Sequence, residues 1–183
     1  MHVQLLALGK RYNRHWIFKN LTTTLQSGEP VAITGPNGSG KSTLLQVVAG
    51  ALEKSTGTIT WQMDEIIVAP EKQFELVAIC APYLELIEEL TLTEFLHFHS
   101  TFKKWLPCLD IPNIITRMDL QEAAHKQIRD FSSGMKQRVK LAQAILSHTP
   151  TLFLDEPTSN LDLKGIAMYH QWMQEFASGR LVV

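Results

Sequence analysis

The sequence predicts an α/β protein, and three features lead to that fold class. Short apolar runs alternate with segments whose apolar residues recur at helical spacing, which is typical of a mainly parallel sheet covered by helices. A glycine-rich segment follows one such run and precedes a helical pattern, and another run ends in two acids, Asp155 and Glu156. We expect a single domain over residues 1–183, with a helical subdomain near residues 84–144.

The first third of the chain predicts strands and one short helix. Residues 2–8 and 17–25 alternate well enough to form two strands of an antiparallel subdomain, joined by the turn-like RYNRH. Residues 31–34 predict a buried strand, and residues 41–49 predict a helix that Gly50 ends. The segment STGTITWQ predicts a further, exposed strand.

The remainder predicts helices around two more buried strands. FELVAICAP predicts a strand that ends at Pro82, and the pattern then becomes mostly helical. SSGMKQRVKLAQAILSH is amphipathic, and Pro150 ends it before the strand TLFLD. DLKGIAMYHQWMQEF predicts another helix, and GRLVV begins a last strand. The apolar face of the amphipathic segment consists of Val139, Ala142, Ile145 and Leu146.

Composition argues against several classes of function. The net charge of -1 argues against broad electrostatic binding of nucleic acid. No apolar run approaches the roughly 20 residues that cross a bilayer, and the N-terminus lacks the pattern of a secretion signal. Cys80 and Cys108 lie far apart, so we interpret them as isolated thiols rather than a disulfide or metal site. We expect a cytoplasmic protein that would reach a membrane only through a partner chain.

The segment GPNGSGKST fits the phosphate-binding pattern G-x-x-x-x-G-K-[ST]. Glycines let main-chain N–H groups turn towards an anion, and the start of the following helix adds partial positive charge. Lys41 supplies an ammonium for the outer phosphates, and Ser42 supplies a hydroxyl for Mg²⁺. The alternative is a glycine-rich turn that only begins a helix. The other predicted phosphate contacts are Gly35, Asn37, Gly38, Ser39, Gly40 and Thr43.

The acids after TLFL predict metal and base chemistry. Asp155 stands at the end of a buried strand, where a carboxylate can hold Mg²⁺ through water. Glu156 is placed to activate an attacking water as general base, so Glu156 and Lys41 are the predicted catalytic residues. An ordinary acidic turn after a core strand is the alternative.

Three segments in this order, GPNGSGKST, FSSGMKQR and LFLDEPTSNLD, resemble the ATP-binding subunit of ABC transporters over essentially the whole chain. Kinases and GTPases share the first pattern but are not expected to have the second, and no N-K-x-D guanine-reading motif is present. The resemblance implies a P-loop nucleoside triphosphate hydrolase core with an N-terminal antiparallel β-subdomain and an inserted helical subdomain. It also implies a head-to-tail dimer that traps two ATP molecules with Mg²⁺ and drives transport through separate membrane-spanning subunits, from the inner face of the cell membrane.

By this resemblance, Tyr12 is the aromatic residue that stacks on adenine, with Trp16 or a purely structural Tyr12 as alternatives. Ser132, Ser133 and Gly134 match the signature loop, which contacts the γ-phosphate bound to the opposite subunit. A simple helix N-cap is the alternative for these three residues.

Asp155 and Glu156 match the family's metal and base positions, and Asp162 matches the loop that connects the two halves of the dimer. Residues 84–130 match the helical subdomain, in which a groove would accept a short helix of the membrane subunit. The alternative is that these helices only cover the core. The short chain and ELTLTEFL are similar to the subunits of small exporters, including haem-export types.

Three departures from the family pattern bear on turnover. The signature reads FSSGM (residues 131–135) instead of L-S-G-G-Q, and Tyr83 stands where the family has a glutamine. The family's histidine after the last strand is absent from the sequence, and we expect it in a C-terminal part beyond Val183. The alternative functions are therefore an ATP-binding module with weak or no turnover, and a soluble ABC ATPase that does not act in transport.

Overall fold

The computed structural model describes residues 1–183, and they form seven strands and five α-helices. Short 3₁₀ helices lie at Pro70–Leu76, Gln121–Ala123 and Ile128–Asp130. None of the α-helices combines the length and the apolar character that a bilayer-spanning segment requires. The strands and helices are β1 (His2–Tyr12), β2 (His15–Gln26), α1 (Lys41–Val48), β3 (Thr56–Met63), β4 (Ile66–Ile67), β5 (Val77–Cys80), α2 (Leu92–Phe102), α3 (Ile111–Arg117), α4 (Ser133–Ile145), β6 (Thr151–Leu154), α5 (Leu163–Phe176) and β7 (Leu181–Val182).

The N-terminal sheet is antiparallel, with the strand order β2-β1-β3-β4. In its register, Val3 pairs with Leu25 on one side and Trp61 on the other, and all three side chains are buried. Strands β1 and β2 continue beyond the predicted bounds because register shifts after Leu5 break the alternation without ending the ladder. The predicted turn between them is confirmed, with Asn13 at a φ of 53°.

Two compact units make up the chain. The first comprises residues 1–77, 150–153 and 179–183, and it contains the antiparallel sheet, α1 and the parallel pairing of Thr151 with Leu181. The second comprises residues 78–149 and 154–178, which include α2 to α5. A smaller sheet has the strand order β5-β6-β7. The α/β fold with an N-terminal antiparallel sheet is therefore confirmed.

The second unit is built on helices whose boundaries follow local signals. Helix α2 begins at a capping box, in which the Thr91 hydroxyl accepts from the Glu94 N–H while the Glu94 carboxylate accepts from the Thr91 N–H. The predicted apolar face of α4 is confirmed, because its members are fully buried. They are Val139, Ala142, Ile145 and Leu146.

The prediction of a buried strand at residues 31–34 is wrong. Residues 31–34 form no strand, and Val31 is 37% exposed. The Val31 N–H donates to the Val182 oxygen at 3.0 Å, while Pro30 has no N–H to offer. This segment therefore lacks the continuous ladder on both sides that a buried strand requires. The segment instead enters the glycine-rich loop as irregular chain.

Candidate functional site

The glycine-rich loop leads directly into α1, as predicted. Gly40 is the N-cap of that helix in the left-handed region, with a φ of 93°, and its carbonyl accepts from the Leu44 N–H at 2.8 Å. A β carbon at residue 40 would also collide with the Ile17 Cγ2 atom of β2. Only glycine meets both conditions without strain. Residues 34–39 are exposed, so main-chain groups of the loop are accessible from solvent.

Lys41 folds back over this loop. Its ammonium donates to the carbonyl oxygens of Gly35 and Pro36, each at 3.0 Å. The contact orients two carbonyls towards the lysine, and it holds the cation at the mouth of the loop. A phosphate that entered the loop would meet a positive charge already in place.

The first turn of α1 has the features of an anion site. No side chain caps it and no acid lies in it, so its first N–H groups have no acceptor from an N-cap side chain. The helix dipole adds partial positive charge at the same point. Ser42 and Thr43 lie in this turn and are half-buried. The first unit thus presents free amides, two hydroxyls and an ammonium together.

The β1–β2 hairpin carries the two candidate aromatic residues. Tyr12 is 49% exposed, with the Lys10 ammonium 5.0 Å from its ring centroid. The Trp16 ring contacts two cations, with the Arg11 guanidinium at 5.5 Å and the Lys19 ammonium at 5.1 Å. Trp16 therefore contacts two cations and Tyr12 contacts one, so the Tyr12 ring has more surface open for stacking.

The acid pair lies in the second unit, immediately after β6. The Asp155 N–H donates to the Cys80 oxygen at 2.8 Å, and the residue is only 8% exposed. A carboxylate at the end of this strand offers oxygen donors of the kind that suit Mg²⁺.

Glu156 differs from its neighbour in both exposure and backbone. Its side chain is exposed, and its carboxylate accepts from the Ser159 hydroxyl at 3.2 Å. Its φ of 46° lies in the left-handed region, which costs a residue with a β carbon about 1 kcal/mol or more.

The signature-like residues begin α4. Ser132 is its N-cap and accepts from the Met135 N–H at 3.3 Å, so the simple capping role proposed as the alternative is present. Ser132 and Ser133 are exposed, and no acid lies in the first turn. A β carbon on Gly134 would lie 3.1 Å from the Asn160 oxygen, which shows how closely α4 approaches the loop before α5.

Sequence reasoning missed two polar residues of α4. Arg138 donates to the Met118 oxygen at 3.3 Å and to the Asp162 carboxylate at 3.2 Å. Asp162 is the N-cap of α5, where the Gly165 N–H and then Arg138 hold the pKa of its carboxyl below the usual value. Gln137 is buried inside the second unit. Its signal was available, because it shares an otherwise apolar helical face with Leu141.

Tyr83 stands in the second unit and is 42% exposed. Burial of the rest of its side chain, followed by the nearby Asp155 carboxylate, raises the pKa of Tyr83 to about 12. The hydroxyl is therefore neutral at physiological pH and can donate a hydrogen bond. A neutral phenol is a poor ligand for Mg²⁺, which prefers carboxylate, carbonyl and water oxygens.

The sequence and the fold of the chain are both similar to those of known proteins. The family model described as ABC transporter matches residues 18–159. YdbJ of Bacillus subtilis, an uncharacterized ABC transporter ATP-binding protein, is 31% identical over 97% of this chain, which spans 57% of that relative's length. The cytochrome c biogenesis ATP-binding export protein CcmA of Brucella abortus is 33% identical, with 87% of this chain and 72% of CcmA covered. A solved structure of an ATP binding subunit of an ABC transporter matches 96% of this chain and 74% of its own, with a TM-score of 0.81 and 27% identity.

Proposed function

The chain belongs to the ABC transporter family, and on that premise we propose that it is an ATP-binding subunit that hydrolyses ATP to drive transport. The observation that carries the proposal is the uncapped first turn of α1, with Lys41 held against the Gly35 and Pro36 carbonyls. The β- and γ-phosphates of ATP would lie in this loop, where main-chain amides and one ammonium face them. Tyr12 would stack on the adenine.

The residues present fit Mg²⁺. Ser42 supplies a hydroxyl, and Asp155 supplies a carboxylate from a residue that is only 8% exposed. Both are the hard oxygen donors that this ion prefers. Bound Mg²⁺ would neutralise charge on the phosphate oxygens. The two residues belong to different units, and their joint role at one ion is part of the proposal.

Glu156 would act as the general base. Its exposed carboxylate can take a proton from the water that attacks the γ-phosphorus. The Ser159 hydroxyl donates to that carboxylate and limits its rotation. Lys41 would stabilise the charge that builds on the phosphate oxygens during the reaction.

We propose that the active form is a head-to-tail dimer, in which Ser132, Ser133 and Gly134 of one copy contact the γ-phosphate held by the other. The exposed start of α4, with two hydroxyls and no acid in its first turn, supports this contact. The dimer would act at the inner face of the cell membrane, on separate membrane-spanning subunits. Relatives such as CcmA, named an export protein, favour a small exporter.

A second candidate is an ATP-binding module with little turnover. Tyr83 favours it, because a neutral phenol cannot replace the carboxamide oxygen of a glutamine beside a metal ion. Binding of ATP would then still close the dimer, while cleavage would be slow.

Phosphate release and ATP binding, measured on the full chain and its Glu156→Gln variant, separate the two candidates. We expect the wild type to release phosphate. In Glu156→Gln the rate of phosphate release should fall at least a hundredfold, because general-base catalysis contributes about 10²–10⁴-fold. The ATP affinity of Glu156→Gln should stay at the wild-type value. Glu75→Gln, which changes an exposed glutamate elsewhere, is the control and should match wild type. If wild type and Glu156→Gln both bind ATP but release phosphate no faster than the background rate, the ATP-binding module is favoured.

A further inference from the structure

The buried side chain of Gln137 joins α4 to the loop that follows the acid pair. Gln137 is 5% exposed, and its Nε2 atom donates to the Pro157 oxygen at 2.8 Å. Pro157 directly follows Glu156, so this hydrogen bond holds the Pro157–Thr158 peptide, one residue beyond the proposed base. The donor and acceptor atoms are at an ordinary hydrogen-bond distance, so the buried Nε2 atom of Gln137 has a main-chain partner.

The same amide also reaches the strand on the other side of the acid pair. Its Nε2 atom lies 3.8 Å from the Cys80 sulfur, which is a weak acceptor. The carbonyl of Cys80 in turn accepts from the Asp155 N–H. Gln137 therefore contacts residues that flank both carboxylates, while touching neither carboxylate itself.

Local backbone geometry explains why the loop needs such a restraint. Glu156 has a φ of 46°, a strained value for a residue with a β carbon. The turn is closed by the Ser159 N–H, which donates to the Glu156 oxygen at 3.0 Å. A strained turn persists only where its surroundings hold it, and the Gln137 amide supplies a hydrogen bond from a rigid helix one residue beyond the strained one.

We propose that Gln137 is a positioning residue for hydrolysis, which fixes the Glu156 carboxylate relative to the start of α4. This inference rests on the proposed ATPase function. Ser132 is the N-cap of α4, so one rigid element carries both the proposed contact to the partner's phosphate and the restraint on the base. A change at the start of α4 when the dimer closes would thus also shift the loop that carries Glu156.

The test compares Gln137→Met with Gln143→Met, which changes a glutamine on the same helix whose side chain is not buried. Methionine keeps the length of the side chain and removes the donor, so the Pro157 carbonyl loses its partner. We measure kcat, KM for ATP, ATP affinity and melting temperature. Because displacement of a catalytic group by 1 Å can cost about a hundredfold, we expect kcat of Gln137→Met to fall by about tenfold or more. ATP affinity should change by less than about threefold, since Gln137 touches no proposed nucleotide contact.

Three outcomes are separable. A fall in kcat at retained affinity, with Gln143→Met equal to wild type, supports the inference. An active wild type with Gln137→Met equally active, or with kcat, affinity and melting temperature falling together, overturns the positioning role and leaves the proposed function intact. If wild type and Gln143→Met bind ATP but neither releases phosphate, the hydrolytic function and the positioning role are both overturned.

Discussion

Gly40 lies so close to Ile17 of β2 that a β carbon at residue 40 would collide with the Ile17 Cγ2 atom. Gly38, two residues earlier, also has a positive φ, of 77°, but has open space around it. Gly38→Ala should therefore cost only the backbone strain, about 1–2 kcal/mol of the free energy of unfolding. Gly40→Ala adds overpacking and should cost about 2–4 kcal/mol.

Urea unfolding of the two alanine variants and wild type measures this difference. Equal losses at both positions would mean that the loop moves away from β2 freely. That result would contradict a phosphate loop held against the hairpin.

His99 should make stability depend on pH. Burial, with a smaller contribution from Lys103, lowers the pKa of His99 from 6.5 to about 4, and its ring hydrogen bonds the Ser147 hydroxyl at 2.8 Å. Between pH 4 and pH 6.5, His99 is protonated in the unfolded chain but stays neutral in the folded protein. The contribution of His99 to the free energy of unfolding is therefore fully present above pH 6.5. It is lost as the pH falls towards 4, and the loss is at most about 3 kcal/mol.

Urea unfolding across that pH range tests the assignment. His99→Gln should be less stable than wild type at neutral pH. Its free energy of unfolding should then fall less than that of wild type on acidification. His97→Gln, on the same helix but exposed, should keep the wild-type loss. Parallel curves for wild type and His99→Gln would show that another group carries the dependence.

The two cysteines should differ sharply in reactivity. Cys80 is fully buried, and burial raises its pKa to about 12, so at pH 8 only about one molecule in ten thousand carries the thiolate there. Cys108 is exposed. An alkylating reagent at pH 8 should add one group per native chain, and Cys108→Ser should remove it, as mass spectrometry can show. Rapid modification of Cys80 in that variant would contradict a closed strand β5.

Features with local causes could be predicted from the sequence. The predicted start of α1 near Lys41 and its end before Gly50 are confirmed, and both flanking glycines, Gly40 and Gly50, lie in the left-handed region. The apolar face of α4 likewise follows from helical spacing alone. The candidate site residues could be named because glycine, lysine and serine at this fixed spacing, between a strand pattern and a helix pattern, are typical of phosphate-binding loops.

Features that depend on distant partners could not be predicted. An apolar run at residues 31–34 looks the same whether or not strands pair on both sides, and here they do not. Arg138 looks like an ordinary polar residue of an amphipathic helix, and the apolar face that Gln137 shares with Leu141 indicates burial without indicating a hydrogen-bond partner. Their roles emerge only when the chain returns beside α4 to present Pro157 and Asp162 as acceptors.

Titration of the full chain with ATP and Mg²⁺, for wild type and Lys41→Ala, tests the phosphate loop most directly. Wild type should bind with measurable heat. Lys41→Ala should lose at least tenfold in affinity, because a hydrogen bond to a charged group contributes about 1.5–3 kcal/mol. Lys72→Ala, an exposed lysine outside the loop, should bind as wild type does. Absence of heat with wild type, or equal affinity in Lys41→Ala, would contradict ATP binding by residues 35–43.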